Sequence, residues 1–350
     1  DGIGEYKSLD ILGTGSGTYY DAISQTWKKS YGVVQNANPD LKWESTSQIN
    51  IGLDFAVLGR INGTLELYQK NTSDLLYTYA VPQPPYLVGT MLANVGDLSN
   101  KGIELSLDAS LIEKKDLRWN INLTMAKNIQ VVEKLSNQAY QCDSINSGSL
   151  HGLTGMSGKY SQVIKEGYAV GTFVGPVSTG LDSLGKFIFE NNAAQQIIGD
   201  VQPKLSIGLG TSLSYKNIDF EISTYGMLGQ KVLNATAMEL SNPKRLPTNN
   251  VSDIILSSEI TSPMTYSSYW VENASFLRIQ SITLGYTLKA ASIGIEKIRF
   301  YVTGENLFVF TNYTGIDPEV SIDGLDSPGI DWFNAYPRPR TFSFGINVTF

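Results

Sequence analysis

Few residues in this chain could do covalent chemistry. It holds one cysteine, Cys142, and one histidine, His151. A Ser-His-Asp relay or a histidine metal cluster therefore has a single candidate imidazole at most. One cysteine cannot build an intrachain disulfide framework, and in a loop it reads as a bystander thiol. Gly180 to Gly185-Lys186 has the glycine-lysine spacing of a phosphate-binding loop. Phe187 stands where such a loop needs a Ser or Thr hydroxyl for magnesium, so the segment reads as a turn and a strand. Gly13, Gly15 and Gly17 form a glycine-rich loop without a following amphipathic helix, so a dinucleotide fingerprint is incomplete. Asp317, Glu319, Asp323 and Asp326 could offer oxygen ligands to calcium, but the EF-hand spacing is missing and a solvated acidic loop is the plainer reading. Glu104 and Asp108 could be imagined as a glycosidase pair; on a strand they simply share a polar face with Ser106. No catalytic constellation and no cofactor site remains.

Binding chemistry is better represented. Tyr77, Tyr79 and Tyr86 lie among Pro82, Pro84 and Pro85, and Tyr266, Tyr269 and Trp270 form a second group. Such rings can stack on sugar faces, pack against peptide side chains or meet a partner protein. They could equally form the interfacial aromatic belt that a membrane barrel needs. These six residues are the candidate substrate or partner contacts.

The elements that must position them follow a period of two. Ile49, Ile51, Leu53, Phe55 and Val57 alternate with Gln48, Asn50, Gly52, Asp54 and Ala56. The same rhythm returns in Ile103 to Leu111, in Trp119 to Met125, across the tight turn Lys216-Asn217, in Ile298 to Val302, and in Phe342 to Phe350. Each run has one apolar and one polar or small face, the mark of a strand with two different surroundings. Between Leu277-Ile279 and Ile282-Leu284 the apolar positions change from odd to even. A β-bulge is therefore expected near Gln280-Ser281.

Connections after Val57, Leu111, Tyr215 and Leu288 are short, whereas 71–100, 129–160, 226–268 and 307–338 read as long loops. Short turns on one side and long loops on the other describe a transmembrane barrel, with turns in the periplasm and loops outside. A sandwich would keep most connections shorter.

Composition agrees with that pattern without deciding it. Only 17% of residues are charged and 11% are aromatic, with 19 Tyr and 33 Gly, which also suits a secreted β-sandwich. The net charge of -7, without a basic cluster, excludes nucleic acid as a partner. No apolar run approaches the roughly 20 residues of a spanning helix. The first residues show no signal peptide, so a chain of this kind is either a soluble β protein or begins in mid-protein; the second reading is favoured.

Several blocks, met in order from about residue 36 to the end, resemble SusC/RagA-type TonB-dependent outer-membrane transporters. They are Asn38-Pro39-Asp40-Leu41-Lys42-Trp43-Glu44 with Ile51-Gly52-Leu53-Asp54, and Asn94-Val95-Gly96 with Asn100-Lys101-Gly102-Ile103-Glu104. Ser275-Phe276-Leu277-Arg278, Gly304-Glu305-Asn306-Leu307-Phe308, Asp317-Pro318-Glu319 and Tyr336-Pro337-Arg338-Pro339-Arg340 complete the set. The resemblance implies an all-β fold, with residues 1–350 forming the C-terminal part of a plugged 22-stranded barrel. About ten spanning strands are expected here, the plug and earlier strands lying outside the chain.

It further implies an integral protein of the bacterial outer membrane that imports glycans or peptides and is no enzyme. The expected partners are a SusD-like surface lipoprotein, the TonB complex acting through the plug, the remainder of the barrel and the lipid bilayer. Odd positions of 49–57, 103–111 and 119–125 should then face lipid. Phe342, Phe344 and Phe350 would act as a barrel-assembly signal, with Phe350 the true C-terminus. A non-transporting barrel, such as an adhesin or assembly factor, and a soluble carbohydrate-binding β-protein stand as rivals.

Overall fold

A computed structural model describes every residue except 1–3, 137–140, 243–244, 257–258, 262–263, 290–293, 321–327 and 333–335. Strands β1 (Ile11–Asp21) and β2 (Thr26–Gln35) pair as a separate hairpin. The glycine-rich stretch expected as a loop thus lies on β1, where Gly13 faces Gly32. Four long strands follow: β3 (Ser45–Val57), β4 (Ile61–Ala80), β5 (Thr90–Lys114) and β6 (Leu117–Lys134). A first insertion carries β7 (Ile145–Ser149), β8 (Tyr160–Ile164), β9 (Thr172–Gly175), β10 (Ser178–Leu181), β11 (Phe187–Phe189) and β12 (Gln196–Asp200). After β13 (Leu205–Tyr215) and β14 (Ile218–Leu228), a second insertion holds β15 (Lys231–Leu233), helix α1 (Ala235–Leu240) and β16 (Val271–Asn273). Strands β17 (Phe276–Lys289), β18 (Lys297–Thr311) and β19 (Thr341–Thr349) complete the chain.

The long strands form one antiparallel sheet of nine, in the order β19-β18-β17-β14-β13-β6-β5-β4-β3. Each pairs with its neighbour in sequence, so the sheet is an up-and-down wall. Its register aligns the alternation of every strand with the next. Leu53 faces Leu65, which faces Leu105, then Met125, then Ile207. One position along, Asp54, Thr64, Ser106, Thr124 and Gly208 make the matching polar row. A slip of one residue would exchange the two faces of a strand, so the pattern itself fixes the register.

Among the described residues, none packs over the apolar face. Phe344 is 84% exposed and heads a row that runs through Val302, Leu284, Phe220, Leu213 and Trp119, and Ile49, on the same face of β3, is 69% exposed. Soluble monomers rarely show apolar patches beyond a few hundred Å². The polar face is tied by its own side chains, including Thr64–Asp54 at 2.8 Å and the bidentate Arg299–Asp219 pair at 2.9 and 2.5 Å. Among the described residues, β3 and β19 each leave one edge unpaired.

The expected bulge is present. Ile279 and Ser281 face Thr224 and Ser223, leaving Gln280 without an opposite residue. Other expectations need correction. Segment 71–100 is mostly strand, with only 81–89 between β4 and β5. Register shifts around Thr72–Leu76 and the left-handed φ of 61° at Asp74 break the period of two there, which hid the strands from a pattern reading. Tyr77 and Tyr79 therefore sit on β4 rather than in a loop, and segment 129–160 begins inside β6.

Candidate functional site

Three connections leave the same end of the sheet: 135–204, 229–275 and 312–340. They fold together around one core containing Leu150, Phe173, Leu233, Met238, Trp270 and Ile330. Apolar side chains fully buried in this way each contribute about 1.5–3 kcal/mol, enough to hold short elements that would not persist alone. Helix α1 is started by Asn234, whose Oδ1 accepts from the Ala237 N–H at 2.8 Å. The third connection is stitched to the second through Leu233 N–H to Gly329 O at 2.9 Å and Asp331 N–H to Leu233 O at 2.8 Å. Asp331 accepts from Tyr313 Oη at 2.6 Å and Thr236 Oγ1 at 3.0 Å. Burial pushes its carboxyl above the usual range, although these hydrogen bonds oppose the shift.

An ionic cluster fixes the third connection to the wall. Arg278 on β17 is 2% exposed; its Nε donates to Glu319 at 2.9 Å and its Nη2 to Asp317 at 2.6 Å. Arg338 approaches Glu319 at 3.2 Å and Asp317 at 3.8 Å, and Tyr225 of β14 donates to Glu319. The Asp317-Glu319 pair, weighed above as a metal candidate, thus holds guanidinium groups instead. Asp323 and Asp326 lie outside the described residues. Among the described residues no group of His, Cys, Asp and Glu is placed to hold a metal.

The glycine-lysine segment is also structural. Asp182 Oδ1 accepts from the N–H groups of both Leu184 and Lys186 at 2.8 Å, closing the β10–β11 hairpin with the amides a phosphate would need. Phe187 then packs edge-on against Tyr269 and Trp270.

A cleft of about 800 Å³ opens on the loop unit. Strands β12-β9-β8-β7 form a four-stranded sheet. Phe173, on one face, belongs to the core; Asn146 opposite Val163 and Val174 opposite Ile197 line the cleft. Lys159 and Lys165 flank β8 on the cleft side, Tyr160 adds a 44%-exposed ring, and Gln195 and Thr265 supply an amide and a hydroxyl. Buried Tyr266 also borders it, with its hydroxyl donating to Ser161 O at 2.7 Å.

The six aromatic candidates are not gathered in one place. Tyr79 is buried with Ala93 and Val95, and Tyr77 meets it edge-on at 5.5 Å. Tyr86 is half-buried in 81–89. Tyr266 and Trp270 are core residues, while Tyr269 stays 43% exposed beside Trp270 at 4.9 Å. Phe342, at 63% exposed, lies with Phe344 on the bare row; Phe350, just beyond β19, is 88% exposed. Sequence reasoning passed over Lys159, Lys165 and Arg278. For Arg278 a signal existed: one cation between Leu277 and Ile279, with Asp317-Pro318-Glu319 downstream.

Residues 12–307 match the family described as TonB dependent receptor-like, beta-barrel. TonB-dependent receptor P3 of Formosa agariphila is 29% identical over 360 residues, covering 90% of this chain and 35% of that protein. TonB-dependent receptor SusC of Bacteroides thetaiotaomicron is 30% identical over 347 residues, covering 89% and 32%. The chain thus spans about a third of the length of these relatives. The RagAB peptide importer in its closed-closed state superposes with a TM-score of 0.79 at 21% identity, covering 99% of this chain and 39% of that one. The shared feature is the fold.

Proposed function

This chain belongs to the TonB-dependent receptor-like β-barrel family, and from that premise we propose that residues 1–350 form the C-terminal part of the wall of an outer-membrane importer. The observation that carries this reading is the bare apolar row running across the nine strands, with the long connections folded together at one end of the wall. Lipid is the surrounding in which such a row is favourable, and a closed barrel is the arrangement in which strands can stand there. The short turns then face the periplasm and the loop unit faces outward. The rest of the barrel covers the open edges of β3 and β19, and a plug driven through TonB occupies the polar side. The row containing Phe342 and Phe344, with Phe350 at its end, serves in assembly.

RagAB imports peptides, and SusC gives its name to the transporters with which this chain shares its blocks. By that analogy the substrate is a glycan or a peptide, and a SusD-like lipoprotein covers the loop unit. The wall does no covalent chemistry. Its part is to hold the loop unit rigidly over the lumen, with Tyr77, Tyr86 and Tyr269 as the candidate contacts that remain at least partly accessible.

The test is uptake by the bacterium that makes the protein. Deleting the full-length gene should abolish import of one oligosaccharide or peptide class, and so should loss of TonB. Uptake unchanged by either deletion would favour a barrel that does not transport.

A further inference from the structure

The end of the wall that carries the short turns is basic, although the chain as a whole has a net charge of -7. Arg60, Lys114, Lys115, Lys216, Lys289 and Lys297 lie on or beside these turns, against Asp116 and Glu296. Glu113 and Arg118, opposite each other on β5 and β6, offset one another. We infer that the group Lys114, Lys115 and Lys216 binds the headgroup of an anionic phospholipid in the periplasmic leaflet; this rests on the membrane-wall reading above and adds a partner to it. All three lysines are exposed, and none is in an ion pair among the described residues.

Two features hold these ammonium groups together at the edge of the bare face. The Lys216 N–H donates to Asp116 O at 2.7 Å, so the β13–β14 turn is tied to the β5–β6 turn beside it. Neighbouring strands stand about 5 Å apart, and three cations on two joined turns fall within reach of one or two lipid headgroups. The register then sets their level. Lys114 faces Leu117, which faces Tyr215, then Ile218, then Tyr286. Residues paired in this way share a face of the sheet, so Lys114 stands in the last row of the apolar face and not on the lumen side. Lys216 Nζ lies 5.3 Å from the centre of the Tyr215 ring, and that ring is 49% exposed on the same face. Lysine stems that run along an apolar face beside tyrosines place their charge where lipid headgroups begin. Cations meant for a soluble anion would turn away from the bare face, whereas Lys114 and Lys216 are set on its border. A zwitterionic headgroup brings an ammonium of its own; an anionic one leaves its phosphate charge for the lysines.

The experiment places a fluorophore at Ile218→Cys, with Cys142→Ser, in the full-length protein reconstituted in phosphatidylcholine vesicles. Nitroxide-labelled phosphatidylglycerol or phosphatidylcholine is added in increasing proportion, and quenching reports which lipid gathers at that row. Three lysines offset by Asp116 leave about two charges, and roughly fivefold for each gives a preference for phosphatidylglycerol on the order of twentyfold. The preference should shrink as salt rises. The double variant Lys114→Gln/Lys216→Gln leaves Lys115 beside Asp116 and should bring the two lipids level, while Lys→Arg at both positions should keep the preference. Equal quenching by the two lipids in the unsubstituted lysine background, or a preference untouched by the double variant, would overturn the inference. Displacement of labelled phosphatidylglycerol by soluble polyglutamate at the same charge concentration would also overturn it and assign the turns to an acidic polymer. In each of these cases the labelled row is still in lipid, so the wall reading survives. Absence of quenching by either lipid would count against the wall reading, and against this inference with it.

Discussion

Replacing Arg278 with Met would remove the guanidinium that joins the third connection to the wall and keep most of the side chain's bulk. Arg278 is 2% exposed, and Asp317 and Glu319 are each 16% exposed. The two carboxylates would remain in a poorly solvated place, with Arg338 at 3.2 Å from Glu319 and 3.8 Å from Asp317 as partial compensation. Breaking a buried ion pair from one side costs about 3–5 kcal/mol; the residual partner argues for the lower end. A loss of about 3 kcal/mol raises the undocked population of residues 312–340 more than a hundredfold. Limited proteolysis of the detergent-solubilised protein reads that population directly, with cleavage expected within 312–340 while the wall stays intact. Adding Asp317→Asn and Glu319→Gln removes the stranded charges and should recover much of the loss, because neutral replacement of a whole ionic group is far less costly than halving it. Wild-type protection in Arg278→Met, or a triple variant worse than the single one, would refute the reasoning.

The two faces of the wall differ in what they tolerate. Leu105→Arg places a charge on the bare row and should cost about 2–4 kcal/mol near the bilayer midplane. Ser106→Arg, on the polar row, should change refolding into lipid vesicles little. Asp331 has its carboxyl raised in the folded state, so the folded loop unit holds its proton to a higher pH than the unfolded segment does. Its contribution therefore falls as pH rises from the ordinary carboxyl value of 3.8 to the raised folded value, and is constant above it. Asp331→Asn should flatten that part of the pH profile in thermal melts of the loop unit's near-UV signal. Gly345 faces Tyr301, and an added Cβ would come within 2.2 Å of the ring. Gly345→Ala should displace Tyr301 from its place beside Arg299 and cost about 1–3 kcal/mol, seen as a lowered midpoint in urea unfolding.

The wall was legible in the sequence because its two faces, one bare and apolar and one polar, impose different demands on alternate residues. From Ile49 to Val57 nothing interrupts the rhythm, and strand, face and register follow from it. Where the strands extend past the apolar zone the demand stops. Between Asp74 and Val95 both faces meet protein or water, the register shifts, and β4 and β5 pass for a loop. The loop unit was illegible for a different reason. Its contacts join distant residues, such as Gln162 with Pro328 and Tyr266 with Ser161, and its strands are too short for a periodic signal. Tyr266 and Trp270 were visible as aromatic candidates, but not as core residues, because the chain that covers them comes from other connections. Lys159 and Lys165 flank a strand of five residues that alternation could not mark.

The central claim is that one face of this wall meets lipid, and β3 tests it most directly. Single cysteines would be placed in turn at 48–57 in the full-length protein with Cys142→Ser, spin-labelled, and the protein reconstituted in lipid vesicles. Collision rates with oxygen, which concentrates in the bilayer, and with a water-soluble nickel chelate are then measured by electron paramagnetic resonance. Oxygen accessibility should peak at 49, 51, 53, 55 and 57, with the chelate favouring the positions between. The absence of a two-residue period, or oxygen maxima at the even positions, would contradict it.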